Sequence, residues 1–572
     1  MKRLTFSLLF TLIAFIAVDS DLVFADPLDD DFDQKTLHFL HRISFGPTPA
    51  SITEVRRIGI ETYLEKQLNP KTINDDALVE KLAPYESVNL DAKVLIRAYY
   101  DRIKTFITEG QMGAGMDAEA QRRLGLERLR ESANIKAAQP LSQAQQFERV
   151  MQRIDLRAMG ELQNTKLIRA VHSQRQLYEV MVDFWSNHFN IDIGKAASGP
   201  LKVIDDRDVI RQHALGNFQD LLMASAKSPA MLFYLDNNQN AVERKLGWIE
   251  KKLRSIAVRW LLGVDADSVN ANGNAEGMIG GLNENYGREL LELHTLGVDG
   301  GYQQQDVIEV SRVFTGWGFN PLNGEFAFNR RNHDGEPKLV LGQRLNDNGQ
   351  AAGEKILIYL ARHPSTAKHI AYKLVQRFVN DQPPSQLVDQ VAEVFLATGG
   401  DIKAMLKTIF NSRDFWQTSN YRTKLKSPFE FIVSSLRATN SEILPFSSSD
   451  RQNFRMTLEG VAILGYGIEL LDAAPKSLNW RLSEMGQPLF AYPAPSGYPE
   501  NSTTWRQPDL AIQRMNFALA LFNGDIPRVA VSVNETWSES ILFSMIDQNL
   551  ETSIPKSLKN AARIASPDFQ YR

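Results

Sequence analysis

Two glutamates one helical turn apart, Glu289 and Glu292, are the side chains of this sequence best spaced to do chemistry. On an ideal α-helix they share a face with Asn285, and Arg288 lies beside them. Paired carboxylates can serve as general acid and general base because their pKa values separate. They can also ligate a divalent metal ion. His294 falls nearer the opposite, apolar side of the same helix.

Two other segments carry residues that could complete such a site. His188 follows Asn187 in FWSNHFNIDI, residues 184–193, and His333 precedes Asp334 in NRRNHDGE, residues 329–336. We therefore predict a polar site built from residues 184–193, 284–294 and 329–336. Its predicted catalytic residues are Glu289, Glu292, His333 and Asp334. The predicted metal ligands are His188, Glu289, Glu292 and His333, supported by Asn187, Asn285, Arg288 and His294.

Three interpretations of this site stay open from the residues alone. In the first, oxygen and nitrogen ligands hold zinc, iron or manganese, which activates a water or an oxidant. Against it, helical di-metal sites commonly use Glu-x-x-His, whereas this helix has Glu-x-x-Glu. In the second, the two glutamates perform acid–base chemistry without a metal. In the third, the protein is a non-catalytic envelope binding or assembly protein. Its polar residues then form a buried network with arginines such as Arg312 or Arg330.

The elements that must position these residues are predicted to be mainly α-helical. Asn283 is the expected N-cap of the helix that carries the glutamates, and Gly297 its C-terminal glycine. A second helix is expected to begin at Asp306 as the N-cap, with Glu309 completing a capping box. One or two short β-hairpins are predicted near residues 325–341, formed by the β-like stretches 325–329 and 338–341.

Most of the chain, residues 34–523, is predicted to form one large helical domain of one or two lobes. Residues 110–144 are poor in large apolar side chains and are expected to form an inserted helical arm. Residues 243–281 are expected to be a second insertion, a basic amphipathic helix over 243–262 followed by a loop. Residues 485–505 are rich in Pro, Tyr and Gly, which indicates a long loop that is functional or wrapped over the surface. A C-terminal helix and polar tail are expected over 524–572.

The N-terminus has the pattern of a cleavable signal peptide. A positive start at Lys2 and Arg3 precedes an apolar run, and cleavage is predicted after Ala25. The run is shorter than the roughly 20 residues that a membrane-spanning helix needs, and no later stretch is apolar enough to span. An acidic, flexible leader is expected over residues 26–33. We therefore predict a periplasmic or secreted protein.

Composition excludes several classes of site. The chain has no cysteine, so disulfides, thiolate metal sites and cysteine nucleophiles are excluded. Its formal net charge of −4 over 572 residues gives no support to nucleic-acid binding. The phosphate-binding GxxxxGK[ST], the dinucleotide-binding GxGxxG, the zinc-binding HExxH and the nucleophile elbow GxSxG are all absent.

Several long motifs together resemble one bacterial family. In order they are RISFGPTPASI, MVDFWSNHFNI, NENYGRELLELHTLGVDGGY with VFTGWGF, RRNHDGEPKLVLG, HPSTAKHIAYKLVQRFV and LKSPFEF. They resemble the family catalogued as DUF1800, over about residues 38–522. The resemblance implies a secreted, mostly helical protein and no known reaction. It also implies a partner, an exported sulfatase-like protein of the DUF1501 type. The basic segment 243–262 departs from the family pattern and is expected to be an insertion.

Overall fold

The computed structural model describes residues 31–112, 154–245, 278–346, 349–445, 476–532 and 555–572, with three further helical residues between 252 and 259. The predicted signal peptide and the greater part of the arm at 110–144 lie outside these ranges. So does most of the insertion at 243–281. Within the described part of the chain, no helix is long and apolar enough to cross a membrane.

Helices dominate the described chain, which confirms the predicted fold class. The α-helices are α1 Asp31–Ile43, α2 Pro49–Ile58, α3 Ile60–Leu68, α4 Asp76–Leu82, α5 Ala92–Met112, α6 Ile154–His172, α7 Gln176–His188, α8 Ser198–Ile204, α9 Arg211–His213, α10 Phe218–Ala226, α11 Pro229–Tyr234, α12 Asn285–Glu289, α13 Gln304–Val313, α14 Gln350–Ala361, α15 Pro364–Phe378, α16 Ser385–Thr398, α17 Ile402–Phe410, α18 Pro428–Ala438, α19 Leu478–Glu484, α20 Pro508–Asn523, α21 Lys556–Ala565 and α22 Pro567–Gln570. Two π-helices, Asp205–Ile210 and Leu290–Thr295, continue α8 and α12.

The strands are short and pair only in twos within the described residues. They are β1 Ala241–Lys245, β2 Met278–Gly281, β3 Trp317–Asn320, β4 Glu325–Phe328, β5 Lys338–Val340, β6 Gln343–Leu345, β7 Glu442–Ile443 and β8 Val529–Ala530. Strands form near 325 and 338 as predicted, but they do not pair with each other. Instead β3 pairs with β4 and β5 pairs with β6, so the region contains two hairpins. Each strand pairs with its neighbour in sequence because a turn of only a few residues connects the two.

The insertion at 243–281 begins differently from the prediction. Residues Glu243, Arg244 and Lys245 belong to strand β1, not to a helix, and β1 pairs antiparallel with β2. This strand pair joins the two ends of the insertion at the surface of the helical body. The rest of the predicted basic helix, apart from three isolated helical positions, lies outside the described residues.

One hydrophobic cluster runs through the described chain, with members from Leu37 in α1 to Phe569 in α22. Helix α7 lies within it, because QLYEVMVDFWSNH has apolar side chains on most of its circumference and Trp185 is fully buried. The expected flexible leader ends earlier than predicted. Helix α1 starts at Asp31, and Asp33 forms an ion pair with Arg56 at 2.5 Å.

The helix that carries the glutamates starts later than predicted. The side chain of Asn283 accepts a hydrogen bond from the backbone N–H of Asn285 at 3.0 Å, but helical geometry begins only at Asn285. From Leu290 onward the helix widens into a π-helix, in which Leu296 N–H donates to Leu291 O at 2.9 Å. A π-turn changes the angular position of every later side chain. An ideal 3.6-residue count therefore does not place Glu292 or His294 correctly.

Helix α13 has a capping box, three residues earlier than predicted. Gln303 is the N-cap, and its backbone N–H donates to the Asp306 carboxylate at 2.9 Å. Asp306 is thus the third helical residue, and its carboxylate accepts this hydrogen bond. The prediction that Asp306 is the N-cap was wrong. Glu309 instead pairs with Arg312 at 3.0 Å. A capping box with the predicted three-residue spacing does form, but its N-cap is a glutamine, which is uncommon at that position.

Gly297 has φ +87°, which confirms the left-handed residue expected after the glutamate helix. A Cβ there would lie 2.9 Å from Nδ1 of His369. We expect Gly297→Val to lower the free energy of unfolding by about 1 kcal/mol or more, because backbone strain and crowding add. Chemical denaturation measures it. Gly301→Val is the matched control, since Gly301 has φ +88° but open space around its Cβ position. Equal losses of unfolding free energy in both variants would show that crowding against His369 does not contribute.

Candidate functional site

Asn187 and Asn190, at the end of α7, hold the Pro/Tyr-rich loop 485–505. The Asn187 amide donates to Tyr498 O at 2.8 Å and accepts from Tyr498 N–H at 2.7 Å. The Asn190 amide donates to the backbone oxygens of Tyr492 and Ala494 at 2.9 and 2.8 Å. These amides pair with backbone groups as a strand neighbour would. The loop is therefore wrapped over α7, and its backbone is satisfied there.

A polar cavity lies beneath this loop, between α6, α7, α15 and α18. It encloses about 60 Å³, room for about four waters at roughly 15 Å³ each by this measure. Its charged lining residues are Lys166, Asp183, Arg377, Glu430 and Glu500, with Phe490, Tyr498 and Trp505 as aromatic walls. Lys166 pairs with Asp183 at 2.6 Å, and Arg377 pairs with Glu430 at 2.8 Å. The cavity suits a small, polar molecule.

Next to this cavity, His188 connects three helical segments. Its Nδ1 lies 2.8 Å from the Nζ of Lys373 in α15, and its Nε2 lies 3.2 Å from the backbone oxygen of His294. A lysine ammonium can only donate, so Nδ1 is the acceptor and the ring proton sits on Nε2. The ring centroids of His294 and His369 lie 6.2 and 6.3 Å from that of His188. The wide π-turn of Leu290–Thr295 presents the His294 oxygen to this ring.

Burial keeps the three imidazoles of this cluster neutral. Desolvation, with Lys373 adding to it, lowers the pKa of His294 to about 3 and that of His369 to about 4. The pKa of His188 is lowered well below its usual value for the same reasons. Burial also lowers the pKa of Lys373 to about 8, although Glu500 opposes the shift. Lys373 is thus the member of the cluster that changes charge closest to neutral pH.

Lys373 has an unusual setting for a lysine. It is closely packed but keeps some solvent-accessible surface. Its ammonium contacts the neutral ring of His188, and no carboxylate within the described chain forms a direct ion pair with it. Arg377, one helical turn further along α15, faces the cavity and pairs with Glu500 at 3.1 Å. Lys373 thus lies one helical turn from the cavity-lining Arg377, and it contacts the ring of His188 instead of any carboxylate of the described residues.

Glu289 and Glu292 lie apart from these histidines, on a partly exposed surface. Burial, together with the neighbouring Glu292, raises the pKa of Glu289. Glu292 accepts a hydrogen bond from the hydroxyl of Tyr302 at 3.2 Å. Arg288 pairs with Glu284 at 3.0 Å instead of with either glutamate. Asn285 donates from its amide to Leu235 O at 3.3 Å, which ties the helix start to α11.

His333 and Asp334 belong to a separate hydrogen-bond network. His333 Nδ1 lies 2.9 Å from Thr315 O, and its Nε2 accepts from Gly349 N–H at 2.9 Å. Asp334 pairs with Arg312 at 2.7 Å. Both ring nitrogens of His333 are therefore used by the backbone, and the carboxylate of Asp334 is neutralised by a cation. These contacts fix the turn between β4 and β5.

The structure brings two of the three predicted segments together, residues 184–193 and 284–294, through His188 and His294. His333 and Asp334 contact Thr315, Gly349 and Arg312 instead. Across the part of the chain that the structure describes, no three His, Asp or Glu side chains are grouped to hold a metal ion. The set His188, Glu289, Glu292 and His333 does not fit a metal in this arrangement, and both nitrogens of His188 are already in contact with other groups.

Sequence reasoning missed Lys373 and His369. The signal was present, because His369, Lys373 and Arg377 recur every four residues in HPSTAKHIAYKLVQRFV and so share one face of α15. A polar stripe of this kind on a helix with a clear apolar face is usually solvated. Only the tertiary structure brings Lys373 of this stripe to the buried His188 at the end of α7.

Comparisons with known proteins identify the family and nothing narrower. A family model described as "Protein of unknown function (DUF1800)" matches residues 38–571. No curated protein and no solved structure matches the chain. The match covers nearly the whole chain and extends past the region in which the sequence motifs resemble the family.

Proposed function

Since this chain belongs to the DUF1800 family, we propose that it is an exported acid–base enzyme whose proton-transfer pair is Lys373 and His188. The observation that carries the proposal is the 2.8 Å contact between Lys373 Nζ and His188 Nδ1. An ammonium held against a neutral imidazole, without a carboxylate, is poorly stabilised as a structural ion pair. It is well suited to a group that gives up and regains a proton near neutral pH.

Each member of the pair has a role that follows from its contacts. Lys373 gives a proton to a bound substrate, or takes one, at Nζ. His188 accepts the Lys373 hydrogen bond at Nδ1 and is oriented by donating from Nε2 to His294 O. This second hydrogen bond fixes the tautomer, as a carbonyl commonly does for a working histidine. Asn187, next in sequence, holds the loop over the adjacent cavity and helps to exclude water from it.

A second pair of proton-active groups supports the same function. Burial and the neighbouring Glu292 raise the pKa of Glu289, as expected for the acid of an acid–base pair. The Tyr302 hydroxyl orients Glu292. Glu289 and Glu292 are proposed as a second acid–base pair, on the surface side of the helical segment that carries His294. The catalytic roles predicted for His333 and Asp334 have no comparable support, because their polar atoms are used by the backbone and by Arg312.

The non-catalytic alternative is favoured by one observation, the engagement of His333 and Asp334 by backbone groups and by Arg312. Polar groups used in this way serve to fix structure, as an assembly or binding module requires. The uncommitted proton of Lys373 distinguishes the two functions. Export follows from the apolar run and charged start at the N-terminus, as proposed here. The association with a DUF1501-type partner stays a prediction.

Replacing Lys373 tests the proposed function. We expect Lys373→Met to lower kcat by roughly 100-fold or more, the usual contribution of a general acid or base. The assay is a panel of hydrolysis and elimination substrates, first applied to the wild-type protein. Lys368→Met is the matched control, because Lys368 lies on the same helix but is exposed and pairs with Asp389 at 3.0 Å. Wild-type turnover that survives in Lys373→Met would refute the role.

A substrate-free readout accompanies this assay. Amine-reactive labelling of the wild-type protein, read by mass spectrometry across pH, should show Lys373 reacting with a midpoint near pH 8. Exposed lysines should follow the ordinary value of about 10.4. A midpoint for Lys373 at the ordinary lysine value would remove the basis of the proposal.

A further inference from the structure

The polar cavity beneath the 485–505 loop has positive and negative charges side by side in its wall. Its charged lining residues are two cations and three carboxylates, Lys166, Arg377, Asp183, Glu430 and Glu500. Lys166 pairs with Asp183 at 2.6 Å. Arg377 contacts Glu430 at 2.8 Å and Glu500 at 3.1 Å. Each charge of the wall therefore already has a counter-charge within the wall.

A third cation, outside the lining, completes the charge balance. The lining residues alone have a net charge of −1, since two cations stand against three carboxylates. Arg572 pairs with Glu430 at 3.0 Å and with Glu500 at 3.2 Å. With Arg572 included, three cations balance three carboxylates. An ionic ligand of either sign would lose hydration on entering the cavity without gaining a net counter-charge. The cavity therefore favours a neutral molecule.

The hydrogen-bonding groups of the wall favour hydroxyl groups. Carboxylates only accept hydrogen bonds, whereas guanidinium and ammonium groups only donate them. Both arginines contact the same oxygen of Glu500, Oε1, so lone pairs of this carboxylate are left for a ligand. A hydroxyl group both donates and accepts. A molecule with several hydroxyls can therefore use the carboxylates and the cations of this wall together.

Aromatic side chains in the wall distinguish a polyol from water alone. Phe490, Tyr498 and Trp505 line the cavity. The ring centroids of Tyr498 and Trp505 lie 6.1 Å apart, with the rings tilted by 44°. The C–H groups of a polyol gain free energy when they leave water for such an apolar surface, and water molecules gain nothing comparable. The combination of paired charges and aromatic rings thus matches a molecule that carries both hydroxyls and carbon.

The volume of the cavity limits the size of this molecule. The cavity encloses about 60 Å³, room for about four waters. Four waters occupy about 120 Å³ in the liquid, at about 30 Å³ each. One glycerol molecule has a similar volume in its own liquid. The ligand that fills the cavity is therefore of glycerol size.

We propose that this cavity binds a small neutral polyol of glycerol size. The proposal names the substrate class of the acid–base enzyme, and it rests on that proposed function only for the claim that the bound polyol reacts. The paired charges hold the hydroxyls, and the aromatic rings cover the carbon atoms. Asn187 and Asn190 keep the loop in place over the cavity through their hydrogen bonds to its backbone.

Saturation-transfer NMR on the full chain tests the proposal with three probes of nearly equal size. Glycerol is neutral, 2-amino-1,3-propanediol carries an ammonium group, and glycerate carries a carboxylate. Glycerol should bind saturably, and both charged probes should bind at least about tenfold more weakly, because each brings a charge that the cavity does not compensate. Binding of either charged probe as tight as that of glycerol, or no saturable glycerol binding, overturns the proposal.

Ser186→Val tests the location of the bound polyol. Ser186 lines the cavity from α7 and is 5% exposed. The larger side chain occupies cavity volume and removes a hydroxyl, so glycerol binding should weaken at least about tenfold. Ser496→Val is the matched control, because Ser496 is an exposed residue of the same loop and does not line the cavity. Unchanged glycerol binding in a folded Ser186→Val protein would place the polyol elsewhere and overturn the assignment.

Lys166→Met tests the charge balance without filling the cavity. The methionine packs on the rings of Phe429 and Phe490, over which the Lys166 ammonium lies at 5.1 and 4.6 Å. Two cations then stand against three carboxylates, a net charge of −1. The ratio of affinities should shift toward 2-amino-1,3-propanediol and away from glycerol by about tenfold. An unchanged ratio would contradict the charge argument on which the proposal depends.

Failure of this proposal is distinguishable from failure of the acid–base function, because binding is measured without turnover. Lys373 does not line the cavity, so Lys373→Met should bind glycerol as tightly as wild type does. Unchanged glycerol binding together with lost turnover supports both proposals. Unchanged glycerol binding with full turnover supports the polyol site and refutes the role of Lys373.

Discussion

Glu430→Gln is expected to lower the free energy of unfolding by about 3–5 kcal/mol, because it leaves buried arginines without their shared carboxylate. Glu430 contacts Arg377 at 2.8 Å and Arg572 at 3.0 Å. Glutamine is nearly isosteric, and its oxygen can still accept from the Ser427 backbone N–H that caps α18. The substitution therefore removes the charge and keeps the cap. Chemical denaturation measures the loss.

The pH dependence of this loss can be stated with its sign. Burial acts to raise the pKa of Glu430, but Arg377 and Arg572 outweigh it and hold the pKa at about 2. A depressed folded-state pKa adds stability that is fully present above the unfolded value, 4.5, and is lost as pH falls toward 2. The difference in the free energy of unfolding between wild type and Glu430→Gln should thus be constant above about pH 5.5 and shrink below it.

Glu54→Gln is the control for this experiment. Glu54 pairs with Arg57 and Lys66 on the surface, where ion pairs contribute about 0–1 kcal/mol. Its substitution should change the free energy of unfolding by less than about 1 kcal/mol. If Glu430→Gln is no less stable than this control, Glu430 is not the counter-charge that Arg377 and Arg572 require.

Gly497→Ala is expected to release the 485–505 loop from α7, at a cost of about 3 kcal/mol or more from combined strain and overpacking. Gly497 has φ +70°, and an added Cβ would collide with the backbone oxygen of Asn187 and lie 2.6 Å from its Oδ1. That same Oδ1 accepts the hydrogen bond from Tyr498 N–H. The methyl group therefore displaces the anchor of the loop as well as straining the backbone.

Gly486→Ala, at the start of the same loop, separates these effects. Gly486 has φ +78° and nothing within 4 Å of its Cβ position, so it bears the backbone strain alone. The thermal unfolding midpoint of Gly497→Ala should lie well below that of Gly486→Ala. Limited proteolysis should cut the loop faster only in Gly497→Ala. Identical proteolysis in the two proteins would show that the contact with Asn187 does not hold the loop.

The secondary structure followed from local rules where those rules reach. Helix positions, the strands near 325 and 338, and the left-handed Gly297 depend on interactions within about four residues, which the sequence displays directly. Errors arose where a local signal had two solutions. Asp306 can be an N-cap or the third residue of a capping box, and the structure uses the second. Strands 325–328 and 338–340 each preferred a partner closer in sequence.

The candidate site was predictable in residue type but not in partners. Asn187 and His188 were expected to be hydrogen-bonded among aromatic side chains, and both form such contacts, whereas His294 was expected only near the apolar side of its helix. The π-helix at Leu290–Thr295 could not be foreseen, because it adds one residue to a turn without a distinctive sequence signal. In this segment the backbone oxygen of His294 contacts His188, whereas the side chains of Glu289 and Glu292 stay at the surface.

The sequence by itself determined the helical class and the family, and it pointed to His188 but not to Lys373. Tertiary structure alone decided which residues meet. Lys373 reaches His188 from 185 positions away, and Arg572 reaches Glu500 from 72. The physical reason is that helix formation is set by short-range periodicity, whereas the choice among many distant charged partners depends on how helices pack. Glu289 and Glu292 belong to the same helical segment as His294, whose backbone oxygen contacts His188, and only the tertiary structure brings Lys373 to the other side of that ring.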